Sequence, residues 1–316
     1  MNDEHPLEQS LRSHSAKLEF EETERAAART LIDLALAEDL ADVGDLTCGA
    51  LIGEGERGEV QVVSRQSGLL AGVPVAEMVL GKLDPSLRWT TQLPDGSLLQ
   101  PGSVVAEVRG PWRSLLTGER TVLNFLTHLS GIATLTRAFV DAVAGTQAKI
   151  LDTRKTLPGY RVLEKYAVRA GGGCNHRMGL FDGILIKDNH LAALTAARTD
   201  AGIADATIAD AIRQARNSVP NDIPVEVEVD SLEQLTDALA GSPDIVLLDN
   251  MDTVTLRKAV ELRNATSLGI QLEASGGVSL DTVAEIAATG VERISIGALT
   301  HSAAALDLAF DWNPPI

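Results

Sequence analysis

From Lys149 onward, short apolar runs alternate with stretches of helical periodicity. Strands are expected at 149–152, 183–187, 225–229, 245–248, 269–273 and 293–296, and helices at 160–170, 204–216, 232–240, 254–263, 280–289 and 302–310. Such alternation predicts a parallel sheet. Its count fits an incomplete or seven-stranded barrel better than a complete eight-unit one, with an open sheet as the alternative. One strand departs from the rest: VEVEVD places Glu226 and Glu228 on one face and valines on the other. Carboxylates in a sheet covered on both sides need partners, either cations at neighbouring strand ends or a metal held by hard oxygens.

Upstream the pattern changes. Ala27, Leu31, Leu34 and Ala35 describe a helix that ends in the turn around Asp42 to Asp45, and 59–64 and 103–109 alternate as half-buried strands. Between them lie a helix at 75–83 and the turn residues Pro94, Asp95, Gly96, Pro101 and Gly102. Residues 112–143 read as a long helical run with one interruption at Ser130 and Gly131, apolar enough to be packed between domains or subunits. Residues 1–22 show no usable periodicity and read as a flexible leader.

The stretch from Asp152 to His190 concentrates the chemistry. Arg154 and Lys155 follow one strand, a helix returns the chain through Gly171 to Gly173, and the next strand delivers Lys187, Asp188, Asn189 and His190 at its carboxyl end. Ligands of parallel α/β sheets and barrels bind at those ends. The stretch carries seven Lys and Arg against four Asp and Glu, inside a chain of net charge −17. A cationic spot in an acidic protein points to a small polyanion. Arg161, Lys165 and Arg169 lie at helical spacing and read as a solvated face, whereas Arg154, Lys155, Arg177 and Lys187 stand beside strand ends and turn glycines. Further on, Asp249 and Asn250 end one strand, Ser275, Gly276 and Gly277 follow another, and Gly297 follows the last. Small residues there let backbone N–H groups approach a phosphate, although tight turns explain such loops equally well.

Composition narrows the field. At 316 residues the chain has room for two domains or a barrel with an attachment. No apolar run reaches the length of a membrane span and the first residues lack a signal-peptide core, so a cytoplasmic protein is expected. The strong negative charge excludes nucleic acid as a partner. Cys48 and Cys174 are too few for a disulfide framework or a metal knuckle, and Cys174 reads as a packing residue.

The segments DTRKT, EKYAVRAGGG, NHRMGL, IKDNH, VEVEVDS, LLDN and EASGG, in this order, resemble the quinolinate phosphoribosyltransferase family from about Glu38 to Asp311. The resemblance implies transfer of the phosphoribosyl group from phosphoribosyl pyrophosphate to quinolinate with decarboxylation, giving nicotinate mononucleotide, pyrophosphate and carbon dioxide, with Mg2+ as cofactor. It implies an α/β fold: an incomplete, about seven-stranded α/β barrel with an N-terminal α/β sandwich domain, working as a homodimer or larger assembly. The expected division is a leader at 1–22, the sandwich domain with linking helices at 23–143, the barrel with the active site at 144–300, and a C-terminal helix and tail at 301–316 returning to the N-terminal domain. Carried over by position, Arg154, His176 and Arg177 would hold the quinolinate carboxylates beside Thr153. Arg120, in GER, would be lent by a neighbouring subunit. Lys155 and Lys187 would stand between substrate and pyrophosphate, Glu228 and Asp249 would meet the ribose hydroxyls and Mg2+, and Ser275, Gly276, Gly277 and Gly297 would form the phosphate loops, with His301 nearby. An aldolase-like barrel using Lys187 as a Schiff-base lysine is a rival that the crowd of anion-binding groups disfavours.

Overall fold

The computed structural model describes residues 18–200, 207–266 and 269–313; most of the expected leader and the first residues of the helix expected at 204–216 lie outside them. The chain runs α1 (Glu22–Leu40), α2 (Leu46–Leu51), β1 (Arg57–Ser64), β2 (Gly68–Leu69), α3 (Val73–Leu83), β3 (Arg88–Thr91), β4 (Leu98–Leu99), β5 (Val104–Pro111) and α4 (Trp112–Ala142). It continues through β6 (Lys149–Leu151), α5 (Arg161–Ala170), β7 (Ile184–Ile186), α6 (Asp188–Asp200), α7 (Ile208–Asn217), β8 (Val225–Val229), α8 (Leu232–Gly241) and β9 (Ile245–Asp249). It ends with α9 (Thr253–Thr266), β10 (Gln271–Ser275), α10 (Val283–Ala287), β11 (Arg293–Ser295), α11 (Ala298–His301) and β12 (Leu308–Asn313). Two compact units result: Met1–Arg137 with Thr156–Gly173 and Ala298–Ile316, and Ala138–Lys155 with Cys174–Gly297. Residues 156–173, expected within the barrel domain, therefore belong to the first unit.

The first unit is built on an antiparallel sheet in the order β12-β1-β5-β3. Val60, Val62, Ala106 and Val108 are fully buried on β1 and β5. Three sequence expectations fail here, each for a physical reason. In place of the helix expected at 302–310, residues 302–307 form neither helix nor strand and 308–310 begin β12, which pairs antiparallel with β1 from Ser64↔Leu308 to Glu59↔Asn313. Leu306, Leu308 and Phe310 are buried at a spacing of two, the period of a strand. Next, α4 is one unbroken helix through Ser130 and Gly131. Its small residues serve close packing: the Ser130 hydroxyl accepts the Ala71 N–H at 3.0 Å, and a Cβ on Gly131 would stand 2.1 Å from the Ala304 carbonyl oxygen. Finally, Lys165 is fully buried within α5 rather than solvated. Arg169, by contrast, stays half-exposed and pairs with Glu24 at 2.8 Å.

The second unit carries a parallel six-stranded sheet in the order β6-β11-β10-β9-β8-β7. Pairing of the first strand with the last is what closes a sheet on itself, and Cys174 adds a parallel bridge to Leu151 on the far side of β6. Together these give six strands and one isolated bridge in succession, and no pairing among the described residues joins Cys174 to β7. Cys174 holds this place through its backbone, donating to Ile150 O at 2.8 Å and accepting from Asp152 N at 3.2 Å. The strand and helix expected on either side of Lys187 are joined by one helix absent from the sequence expectation, α6, which begins directly at Asp188.

Registers divide the barrel strands into two faces. Ile186, Val225, Val227, Val229, Val246, Leu248, Leu272, Ala274 and Ile294 share one face and are buried. The other face carries Glu226, Glu228, Leu247, Asp249, Glu273, Ser275 and Arg293 in neighbouring rows. Parallel strands covered on both sides are ordinarily apolar on both. Here one face is apolar and the other is charged.

Candidate active site

The carboxyl ends of the strands gather most of the expected residues. Arg154 and Lys155 follow β6 and are exposed, and Thr153 turns them, its hydroxyl accepting the Lys155 N–H at 3.0 Å. Lys187 follows β7, and its ammonium pairs with Glu228 of β8. Asp249 ends β9, where the Asn250 side-chain amide donates to it at 2.8 Å. Ser275 ends β10, and its carbonyl accepts the Asn250 N–H at 2.8 Å. Gly276 and Gly277 follow with φ of 98° and 62°. Two successive left-handed residues are cheap only as glycine and turn backbone N–H groups toward one side of the loop.

The Asn175–Arg177 segment follows Cys174. Asp152, fully buried, accepts the His176 N–H at 2.9 Å and the Asn175 side-chain amide at 2.5 Å. Beyond it, Asp182 accepts the N–H groups of Met178 and Gly179 at 2.7 and 2.9 Å, while the Arg177 guanidinium donates to Gly183 O at 2.9 Å. Burial first, and then the neighbouring Arg154 cation, depress the Arg177 pKa. Two guanidinium groups thus repel one another. No ion pair among the described residues involves Arg154.

Beneath them lies a buried ionic cluster. His176 Nε2 is 3.0 Å from Glu226 Oε2 and 3.5 Å from Glu273 Oε1, and Arg293 donates to Glu273 Oε2 at 2.6 Å. Burial lowers the imidazole pKa, and the two neighbouring carboxylates act to raise it. Burial raises the Glu226 pKa, whereas His176 and Arg293 overcome the same effect at Glu273 and lower it. Against a second ring proton stands the Arg177 N–H, which donates to Nδ1 at 2.7 Å. The geometry sets the tautomer with hydrogen on Nε2, and both ring nitrogens are engaged within the protein. A cation among these three side chains would need the Nε2 lone pair, which the proton occupies.

Two expected residues fall in the other unit: Arg120, exposed on α4, and His301, exposed at the end of α11 with Nδ1 2.7 Å from the Ser302 hydroxyl. Arg293 and Asp152 are site residues that the sequence pattern does not single out. A charged residue within a strand of a parallel sheet, as in ERISIG, is the available signal for Arg293; that it pairs with Glu273, the strand-end carboxylate of LEASGG, emerges only from the register.

Residues 45–130 match the family described as quinolinate phosphoribosyl transferase, N-terminal domain, and residues 132–311 its C-terminal domain. The chain belongs to the quinolinate phosphoribosyltransferase family. It is 47% identical over 287 residues to the nicotinate-nucleotide pyrophosphorylase [carboxylating] of Mycobacterium leprae (strain TN), covering 90% of this chain and 97% of that one. A probable enzyme of the same name from Bacillus subtilis (strain 168) is 42% identical over 283 residues, with 90% and 92% covered. Among solved structures, the nicotinate-nucleotide pyrophosphorylase from Francisella tularensis superposes with a TM-score of 0.82 at 37% identity, covering 91% of this chain and 96% of that one. The structure of NadC from Streptococcus pyogenes gives 0.81 at 37% identity, with 90% and 97% covered. Family membership thus spans both units.

Proposed function

We propose that the chain transfers the phosphoribosyl group of phosphoribosyl pyrophosphate to quinolinate with loss of carbon dioxide, yielding nicotinate mononucleotide and pyrophosphate for NAD biosynthesis. Membership of the family supports the reaction, and the placement of Arg154 and Arg177 supports the acceptor. Two mutually repelling guanidinium groups become favourable around a dianion, and arginine pairs with planar carboxylates in bidentate fashion. His176, expected alongside them on the quinolinate carboxylates, has its ring nitrogens engaged by Glu226 and the Arg177 N–H and enters this reading as the residue beneath Arg177.

Lys155 and Lys187 neutralise the departing pyrophosphate, while Ser275, Gly276, Gly277 and Gly297, with His301, receive the donor's phosphates. As the bond to pyrophosphate breaks, positive charge develops at the sugar carbon, and Glu228 and Asp249 stabilise it; no nucleophilic side chain is needed. Carbon dioxide then leaves from the carbon beside the quaternised ring nitrogen, which stabilises the carbanion left behind until it takes a proton from water to give nicotinate mononucleotide. Mg2+ fits the donor set at Glu228 and Asp249, two carboxylates on adjacent strands of one face. Hard oxygens of this kind hold Mg2+ together with substrate phosphates, and the bound ion would offset pyrophosphate charge. We place the reaction in a homodimer or larger assembly, with Arg120 lent across the subunit interface. A cytoplasmic setting accords with the unbridged Cys48 and Cys174, and no helix of the described residues is long and apolar enough to cross a membrane.

Incubation with quinolinate, phosphoribosyl pyrophosphate and Mg2+ tests this directly. Equal amounts of nicotinate mononucleotide and carbon dioxide are expected, and none when nicotinic acid replaces quinolinate. Donor binding without either product would send the search for the acceptor elsewhere.

A further inference from the structure

The His176, Glu226 and Glu273 cluster is more expensive than a packed core requires. Glu226 and Glu273 are 3% and 0% exposed, and the Oε1 of each has no hydrogen-bond partner among the described residues. Unmet oxygens of buried carboxylates are destabilising. Its two carboxylates lie one step away from residues expected to touch ligand: Glu226 is two residues before Glu228 on the same face, and Glu273 two before Ser275. What Glu226 does hold, through Oε2 at 3.0 Å, is His176 Nε2, and Glu273 Oε1 stands 3.5 Å from the same nitrogen. Through the ring, Nδ1 holds the backbone N–H of Arg177.

We propose that Glu226 and Glu273 are positioning residues that, through His176, fix the backbone of Arg177 and so set where its guanidinium meets an aromatic dicarboxylate. This rests on the reading of Arg177 as a quinolinate ligand. Other contacts hold the segment as well. Asp152 fixes it from β6, Gly183 O receives the Arg177 side chain, and Arg293 of β11 anchors Glu273 from behind. Arg154 contributes only repulsion. Removing the Nε2 contact frees the ring to rotate, which releases the Arg177 N–H and leaves the guanidinium tethered at one point. Donor residues on β8 to β10 keep their own contacts, so the loss falls on the acceptor.

Glu226→Leu removes the acceptor oxygen and keeps approximate volume, whereas Glu226→Gln keeps an oxygen for Nε2–H. Steady-state kinetics of both variants, with each substrate varied in turn, are expected to show quinolinate KM raised by about tenfold or more in Glu226→Leu and by less than about threefold in Glu226→Gln, with donor KM unchanged. Equal rises in both KM values, or no rise in Glu226→Leu, would overturn the proposal. Because the variants share the risk of misfolding, the wild-type protein labelled with 15N-histidine provides a separate measurement. Its His176 signal, assigned by comparison with His176→Gln, is expected to report hydrogen on Nε2 throughout neutral pH. A proton on Nδ1 instead would also overturn the proposal. If quinolinate is not a substrate at all, the functional reading fails on its own, while the NMR result still decides whether the carboxylates set the ring.

Discussion

Gly276→Ala tests the phosphate loop where its geometry is least forgiving. The glycine sits at φ 98°, and an added Cβ would lie 2.2 Å from Asn250 Oδ1, 2.6 Å from its Cγ and 3.1 Å from its backbone N. A left-handed L-residue costs about 1–2 kcal/mol. Rotating the Asn250 side chain out of the way gives up its 2.8 Å hydrogen bond to Asp249, which adds about 1 kcal/mol in this exposed setting. The contact with the Asn250 backbone survives any rotamer, so the loop itself must shift. A total of about 2–3 kcal/mol corresponds to a loss of roughly 30- to 150-fold in affinity for a ligand that needs the original loop. Calorimetric titration should show that loss for phosphoribosyl pyrophosphate with Mg2+, and quinolinate affinity within a factor of about two because Arg154 and Arg177 lie on other loops. A folded variant with undiminished donor affinity would refute the loop's role. Equal losses for both ligands would show that the strain spreads beyond it.

Four other outcomes follow from the same contacts. Arg177→Ala should weaken quinolinate binding by about a hundredfold through loss of a charge-assisted bidentate partner, with donor binding little changed; titration of each substrate separately checks it. If Arg120 is lent across a two-fold interface, mixing inactive Arg120→Ala and Lys155→Ala proteins should restore about a quarter of wild-type activity, since half the dimers are mixed and each has one intact site; no recovery after subunit exchange would place Arg120 with its own chain. Gly131→Ala should lower stability by about 2–3 kcal/mol in urea titration, because the Ala304 carbonyl that its Cβ meets is backbone and has no rotamer to take. Asp45 caps α2, accepting the Cys48 N–H at 2.9 Å, and its pKa is lowered by hydrogen bonding from Cys48. Its contribution is therefore present above the unfolded carboxyl value near 3.8 and lost as pH falls through the lower folded value; Asp45→Ala should cost about 1 kcal/mol at pH 7 and nothing at strongly acidic pH.

What the sequence discloses and what it withholds divide along a physical line. Period-two alternation by itself places Glu226 and Glu228 on one face, and strand ends mark Arg154, Lys155, Lys187 and Asp249. Local pattern suffices because each of these depends on a single strand. The end of the chain carries a strand signal that the helix expected at 302–310 overlooks: Leu306, Leu308, Phe310 and Trp312 alternate at the period of two. Ser130 and Gly131 mislead because small residues signal a break in an exposed helix and close approach in a buried one. The burial of Lys165, the Arg293–Glu273 pair and the Nε2 contacts of His176 lie beyond sequence pattern, since each depends on register or on contacts between distant elements.

The faces of the barrel strands explain why both kinds of information coexist in so few residues. Val225, Val227 and Val229 on the outer face of β8 are at most 2% exposed, and burial of such side chains contributes about 1.5–3 kcal/mol each. The inner face of the same strand contributes Glu226 and Glu228, whose pairing at best offsets their desolvation. Stability therefore rests on one face and ligand chemistry on the other, separated by a single residue in sequence. A one-residue slip of β8 would exchange the two sets and lose both at once. Register is consequently the property the outer valines enforce, and the placement of Glu228 opposite Lys187, and of Glu226 beneath His176, follows from it.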